Sequence, residues 1–263
     1  MELAPAQLPL RQFDYWVAVF RRTWKGTVVS YFLMPFLYLG AMGIGLGGFV
    51  DANAPADRLG GLSYLAFIAP GLLATMSMQT AVSESTWPVM AMIKWQKVYQ
   101  AMLATPMRVR DLLLAHFGFI AFRLFTTSTV FVAVIAVFGV VETLAGAVAA
   151  ACVGVLVGMA YTTPTFAYSA RLESDSGFAI IYRLGVIPMF LFSGAFFPVS
   201  QMPDALEWLA YLTPVWHGVE LTRMLTTDQL AVLPALGHLA YLGLWVGVGW
   251  WLAIKSFTKR LVL

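Results

Sequence analysis

Residues 143–170 read TLAGAVAAACVGVLVGMAYTTPTFAYSA, 28 consecutive positions without a charge. A helix needs roughly 20 apolar residues to cross about 30 Å of hydrocarbon, whereas the strands of a membrane barrel are about ten residues of alternating polarity. This stretch is continuous and long, so it reads as a helix in lipid. Gly26–Val50, Leu59–Ser83 and Leu230–Ile254 are three more runs without a charge. They fit the whole chain of 263 residues, which is 60% hydrophobic and 11% charged, with a mean hydropathy of +0.79. Soluble domains are about 25% charged, and apolar side chains this abundant could not all be hidden inside a globule. The composition therefore points to an all-α integral membrane protein.

Six spans are predicted: Val28–Phe49, Leu62–Val82, Leu112–Phe138, Thr143–Tyr168, Phe178–Phe197 and Leu233–Ile254. An even number puts both termini on one side, and the excess of lysine and arginine chooses the side. Thirteen basic residues fall on one face: Arg11, Arg21, Arg22 and Lys25; Lys94, Lys97, Arg108 and Arg110; Arg171 and Arg183; Lys255, Lys259 and Arg260. The other face carries Arg58 and Arg223 among mostly acidic residues. Both termini are expected in the cytoplasm. The start of the chain does not read as a cleavable signal peptide, because Met1–Leu10 holds Glu2 and two prolines and lacks a basic stretch before an apolar one.

The connections are informative too. Over residues 9–25, Leu10, Phe13, Trp16, Val17, Phe20 and Trp24 share one side of a helical wheel and Arg11, Asp14, Arg21, Arg22 and Lys25 the other. That pattern predicts a helix lying in the membrane interface, rings in the acyl boundary and cations among headgroups. Residues 84–111 are too long for a plain turn. Val89–Thr105 holds neither proline nor glycine, so a cytoplasmic helix is expected there, resting on the membrane and offering one end to another protein. Within residues 198–230, Pro203 and Pro214 suit first turns of short helices over Asp204–Leu212 and Val215–Leu225, with Glu220 and Arg223 spaced as a helical pair. Their apolar side chains suggest two short helices dipping into the outer leaflet.

Recognisable catalytic chemistry is sparse. Gly43-Ile44-Gly45-Leu46-Gly47-Gly48 spells the dinucleotide pattern G-x-G-x-x-G, but it follows an apolar span and not a strand, so close helix approach or a broken span end is the better reading. The chain has no P-loop, no zinc-protease motif and no serine-hydrolase elbow. Cys152 stands alone, and His116, His217 and His238 are scattered, so a structural metal site is not expected. Nor does any basic tract suggest nucleic acid. Glu84 with Ser85, and Glu173 with Asp175, read as solvated loop ends. Arg123 does not fit its apolar surroundings. An arginine near mid-bilayer costs about 2.5–3.5 kcal/mol on insertion scales, so it is expected to face protein or water, in an internal ion pair or on a translocation path.

Two stretches carry a family resemblance. Tyr99-Gln100-Ala101-Met102-Leu103-Ala104-Thr105-Pro106 resembles an E-x-L-L-x-T-P cytoplasmic segment, with Gln100 where the acidic residue would stand. Leu191-Phe192-Ser193-Gly194-Ala195-Phe196-Phe197-Pro198 through Leu212-Thr213-Pro214 resembles an L-x-S-G-x-x-F-P…L-P signature. Together with the order of spans they resemble, over essentially the whole chain, the permease subunits of type-2 ATP-binding-cassette exporters of the nodulation-factor and daunorubicin-resistance branch. The resemblance implies one permease domain over residues 1–263, paired with a second permease copy and driven by a separate ATPase subunit that binds ATP and Mg. It implies ATPase coupling through Trp95, Val98, Tyr99, Gln100, Met102, Leu103 and Thr105. It also implies a path lined by Tyr31, Tyr38, Met76, Phe190 and Phe196, suited to amphipathic cargo because aromatic and methionine side chains adapt to varied apolar surfaces. A secondary transporter or channel working without ATP is the alternative; it would favour inverted repeats or ion-coupling carboxylates within the spans, and neither is read here.

Overall fold

The computed structural model describes residues 13, 15–18, 20–22, 32–33, 35–53 and 59–262. The described residues are helical or in short connections. Helix α1 is Pro35–Asn53, α2 Tyr64–Ser85, α3 Trp87–Lys94, α4 Val98–Leu103, α5 Val109–Val137, α6 Leu144–Ser169, α7 Ser176–Phe192, α8 Asp204–Tyr211, α9 Pro214–Thr226 and α10 Val232–Leu261. Among the described residues, five helical segments are long and apolar enough to cross a bilayer: α1, α2 running on into α3, α5, α6 and α10. The fifth expected span is shorter than drawn. Its helix, α7, covers only 17 residues, about 25 Å at 1.5 Å per residue.

The physical cause of that shortening lies in α7 itself. Pro188 cannot donate to the carbonyl four residues back, and the helix ahead of it widens into a π-turn over Ile181–Val186. The helix then stops at Ser193, and Gly194 adopts φ +79°, a left-handed exit that favours glycine. Ala195 is fully buried against α2. A Cβ on Gly71 would lie 2.6 Å from the Ala195 Cα, so only glycine there lets the turn sit so close.

α6 forms the centre, packed against α2, α5, α9 and α10. Small residues make the close approach possible, as expected where lipid supplies no hydrophobic drive between helices. A Cβ on Gly154 would meet Ser128 Oγ at 2.4 Å and Ser77 Oγ at 3.1 Å, so α2, α5 and α6 touch at one level. Gly249 of α10 lies against Thr163 and Pro164, and Gly218 of α9 against Val157. The start of α6 is capped by Thr143, whose side chain accepts from the Gly146 amide, and that of α9 by Thr213, which accepts from Trp216.

The two short helices are α8 and α9, close to the ranges read from Pro203 and Pro214. Their environments differ. α9 buries Val215, Val219 and Leu221 and packs on α2 and α6, whereas α8 leaves Trp208 and Leu209 exposed.

Three expectations are corrected. The stretch Val89–Thr105 is not one helix: it breaks after Lys94, and Lys97 takes a left-handed conformation at φ 53°. The helical residues around Trp16 do not all face lipid, because the Trp16 ring is 4% exposed and stacks on His116 of α5 at 4.2 Å. Of the two readings of the G-x-G-x-x-G stretch, the broken span end is corrected, because Leu39–Leu46 is a π-segment within α1 and the helix runs on, whereas close helix approach fits, with Gly43 against Leu65. Of the first expected span, residues 28–31 and 34 lie outside the described residues, as does much of the expected interfacial helix.

Candidate functional site

The segment between α2 and α5 has two faces. Tyr99 of α4 is fully buried, and its hydroxyl hydrogen-bonds His116 Nδ1 at 2.7 Å, on the same imidazole that carries the Trp16 ring. Burial pushes its phenol well above the ordinary value. Tyr99 also meets Phe257 of α10 edge-on at 5.7 Å. Val89, Met90 and Ile93 of α3 are buried as well, and Gln100 Nε2 donates to the Ile93 carbonyl at 2.7 Å, closing the bend between α3 and α4. On the other face, Trp95 is 64% exposed at the tip of the bend, and Gln100 and Thr105 are exposed. Val98, Met102 and Leu103 are half-buried. Of the seven coupling candidates, then, Tyr99 is turned inward as an anchor, and Trp95 leads the outward face.

This elbow is tied to its neighbours. Trp87, at the start of α3, lies 5.0 Å from Phe178 and 5.5 Å from Tyr182 of α7. Lys94 donates to the Glu173 carbonyl in the turn after α6. A displacement of the elbow would therefore press directly on the base of α7.

Four path candidates border one apolar cluster. Tyr38 of α1, Met76 of α2, Phe190 of α7 and Phe196 beyond it are all half-buried against the cluster of Leu39, Ile68, Leu72 and Phe131. Phe190 and Phe196 meet edge-on at 5.1 Å. Tyr31 lies outside the described residues. Arg123 is not among this group; it lies on α5, and its Nη1 donates to Glu84 Oε2 at 2.6 Å. Glu84 is thus not a solvated loop end. The second helix runs three residues beyond its expected end at Val82 and carries Glu84 into the bundle, where the side chains of the pair are 18% and 20% exposed.

Arg223 makes more contacts than its helical spacing to Glu220 predicts. It pairs with Glu220 at 2.6 Å, reaches the Phe67 carbonyl of α2 and the Gly194 carbonyl of the α7 exit, and stacks 3.8 Å over the Phe67 ring. The i, i+3 spacing shows its partner but not these two carbonyls, which come from segments 156 and 29 positions away. Nearby, Thr222 donates to the Pro70 carbonyl at 3.0 Å, so α9 holds α2 at its proline. Two histidines also meet at this end, His217 Nδ1 and His238 Nδ1 standing 2.8 Å apart. Among the described residues no group of three or more metal-ligating side chains forms.

The fold is that of a multi-pass helical membrane protein. The sequence profile of the ABC-2 type transporter family matches residues 15–226, most of the chain, and the chain belongs to that family. It is similar to nodulation protein J of Rhizobium leguminosarum bv. trifolii, at 28% identity over 254 residues and 94% of each chain. The similarity to nodulation protein J of Rhizobium meliloti strain 1021 is 28% over 268 aligned positions and 99% of each chain. With the Sinorhizobium fredii protein of the same name it is 28% over 264 positions.

Proposed function

We propose that this chain is the transmembrane subunit of an ATP-driven exporter in the bacterial cytoplasmic membrane, moving amphipathic, drug-like, lipid-linked or oligosaccharide cargo by alternating access. A separate ATP-binding-cassette subunit binds ATP and Mg, and two permease copies share the path. Membership of the ABC-2 family carries this reading. Both termini and the α3–α4 elbow are cytoplasmic, on the positive-inside argument, and α8 and α9 re-enter the outer leaflet.

The geometry suggests how force would travel. An ATPase gripping Trp95, Gln100 and Thr105 moves a rigid elbow, because Tyr99 and the buried face of α3 lock it to α5. Trp87 passes that motion to Phe178 and Tyr182 at the base of α7. Toward the far end of α7, Phe190 shifts against Phe196 and Met76, opening or closing the space beside Tyr38. The outer exit of α7 stays fixed by Arg223, so the helix bends at its π-turn.

The decisive experiment is reconstitution in vesicles with and without the ATPase subunit. Cargo movement is expected only with both subunits and ATP, and the two should copurify. Sustained transport by this chain alone in ATP-free vesicles would overturn the proposal.

A further inference from the structure

Between the ends of α6 and α10 lies a cavity of about 550 Å³. Arg171 and Glu173 line it from the turn after α6, and Lys255, Ser256, Lys259 and Arg260 from the last turns of α10. Four cations thus surround one carboxylate, and that carboxylate is already engaged. Glu173 pairs with Arg260, whose hydrogen bond holds the carboxyl below its ordinary value, so it stays ionised and bound to its own arginine. Arg171 is oriented by its Nε, which donates to Ser256 Oγ at 2.9 Å. Among the described residues neither Lys255 nor Lys259 has a carboxylate at ion-pair distance. The cavity therefore holds a surplus of positive charge that an anion would neutralise.

The surroundings indicate which anion. Leu244, Val248 and Trp251 are exposed on one face of α10 and spaced at three or four residues, and the next two steps along that face are Lys255 and Lys259. Lys255 Nζ lies 5.4 Å over the Trp251 ring. An apolar stripe that passes through a tryptophan into lysines has the profile of a lipid-facing helix meeting its interface. Basic pockets between helix ends on the cytoplasmic side suit anionic headgroups. A free inorganic anion would use the cations and leave the stripe unexplained.

We propose that this cavity binds the phosphate diester headgroup of an anionic membrane lipid, with Arg171, Lys255 and Lys259 at the phosphate and the Leu244–Trp251 face against an acyl chain. It requires that α10 crosses the membrane, not that the chain is an exporter. Because Lys94 of α3 donates to the Glu173 carbonyl, the occupied cavity also steadies the turn that supports the elbow.

The test uses the full chain in vesicles of equal phosphatidylglycerol and phosphatidylcholine, extracted in mild detergent, with retained lipids counted by native mass spectrometry. Wild type should retain phosphatidylglycerol preferentially, and Lys255→Gln and Lys259→Gln should each weaken the preference about fivefold. In the unaltered chain, a photoreactive phosphatidylglycerol should crosslink to residues 244–259. Equal retention of the two lipids by wild type, or crosslinks found only elsewhere, would overturn the proposal. Displacement of the lipid by millimolar inorganic phosphate would overturn it in favour of a free-anion site.

Discussion

Arg123 and Glu84 place opposite charges 39 positions apart in sequence within 2.6 Å of each other, on two helices that otherwise meet through apolar and small side chains. Removing one partner leaves the other charge poorly solvated, which costs about 3–5 kcal/mol where a pair is fully buried and less at the partial exposure here. Arg123→Leu and Glu84→Leu should therefore each lower the thermal unfolding temperature in detergent, and the double variant should be more stable than the sum of the two losses. Strict additivity of the three changes would show that the contact carries no coupling. Arg123 was legible in the sequence because a charge stands out in an apolar run. Glu84 was not, because it falls just past the point where hydropathy ends the second span, and no local spacing marks a partner on another helix.

At the scale of the element, the elbow shows why local pattern predicts one helix where the structure has two. Val89–Thr105 contains no glycine or proline, so local propensity favours one helix; the break arises because Tyr99 is drawn onto His116 and the chain must turn at Lys97 to deliver it. That is a tertiary cause, invisible in a window of neighbouring residues. The same structure separates an exposed face of the elbow from a buried one. Trp95→Ala removes an exposed ring and should leave thermal stability within about 0.5 kcal/mol, as surface changes usually do, while reducing ATP-coupled transport. Tyr99→Ala empties a fully buried site and should cost about 3–5 kcal/mol in stability. Equal stability losses in the two variants, or full coupled transport with Trp95→Ala, would remove the division into outward and anchoring faces. The short helices α8 and α9 were more legible, because Pro203 and Pro214 mark their first turns locally and Thr213 caps the second.

Across the whole molecule, the antiparallel run of helices sorts the charges by end. Lys94 meets the turn after α6, and Arg171 meets the last turns of α10, so the basic connections gather at one end of the bundle. At the other end Glu142 N bonds the Thr226 carbonyl, and Glu207 and Tyr211 pair beside Trp216. The sequence made this polarity readable because the positive-inside bias acts on composition near span ends, whatever the detailed path of each helix. The number of full-length crossings was less readable, since the π-turn before Pro188 and the left-handed Gly194 shorten α7 without lowering its hydropathy. The polarity makes a prediction that does not depend on α7 alone. With the native Cys152 replaced by Ala, Trp95→Cys should react with a membrane-impermeant thiol reagent only after cells are opened. Glu207→Cys should react in intact cells. Labelling of both positions from the same side would be incompatible with an odd number of crossings between them, and would force α7, the shortest of the three long helices between those positions, to be reassigned as a segment that enters and leaves the bilayer on one face.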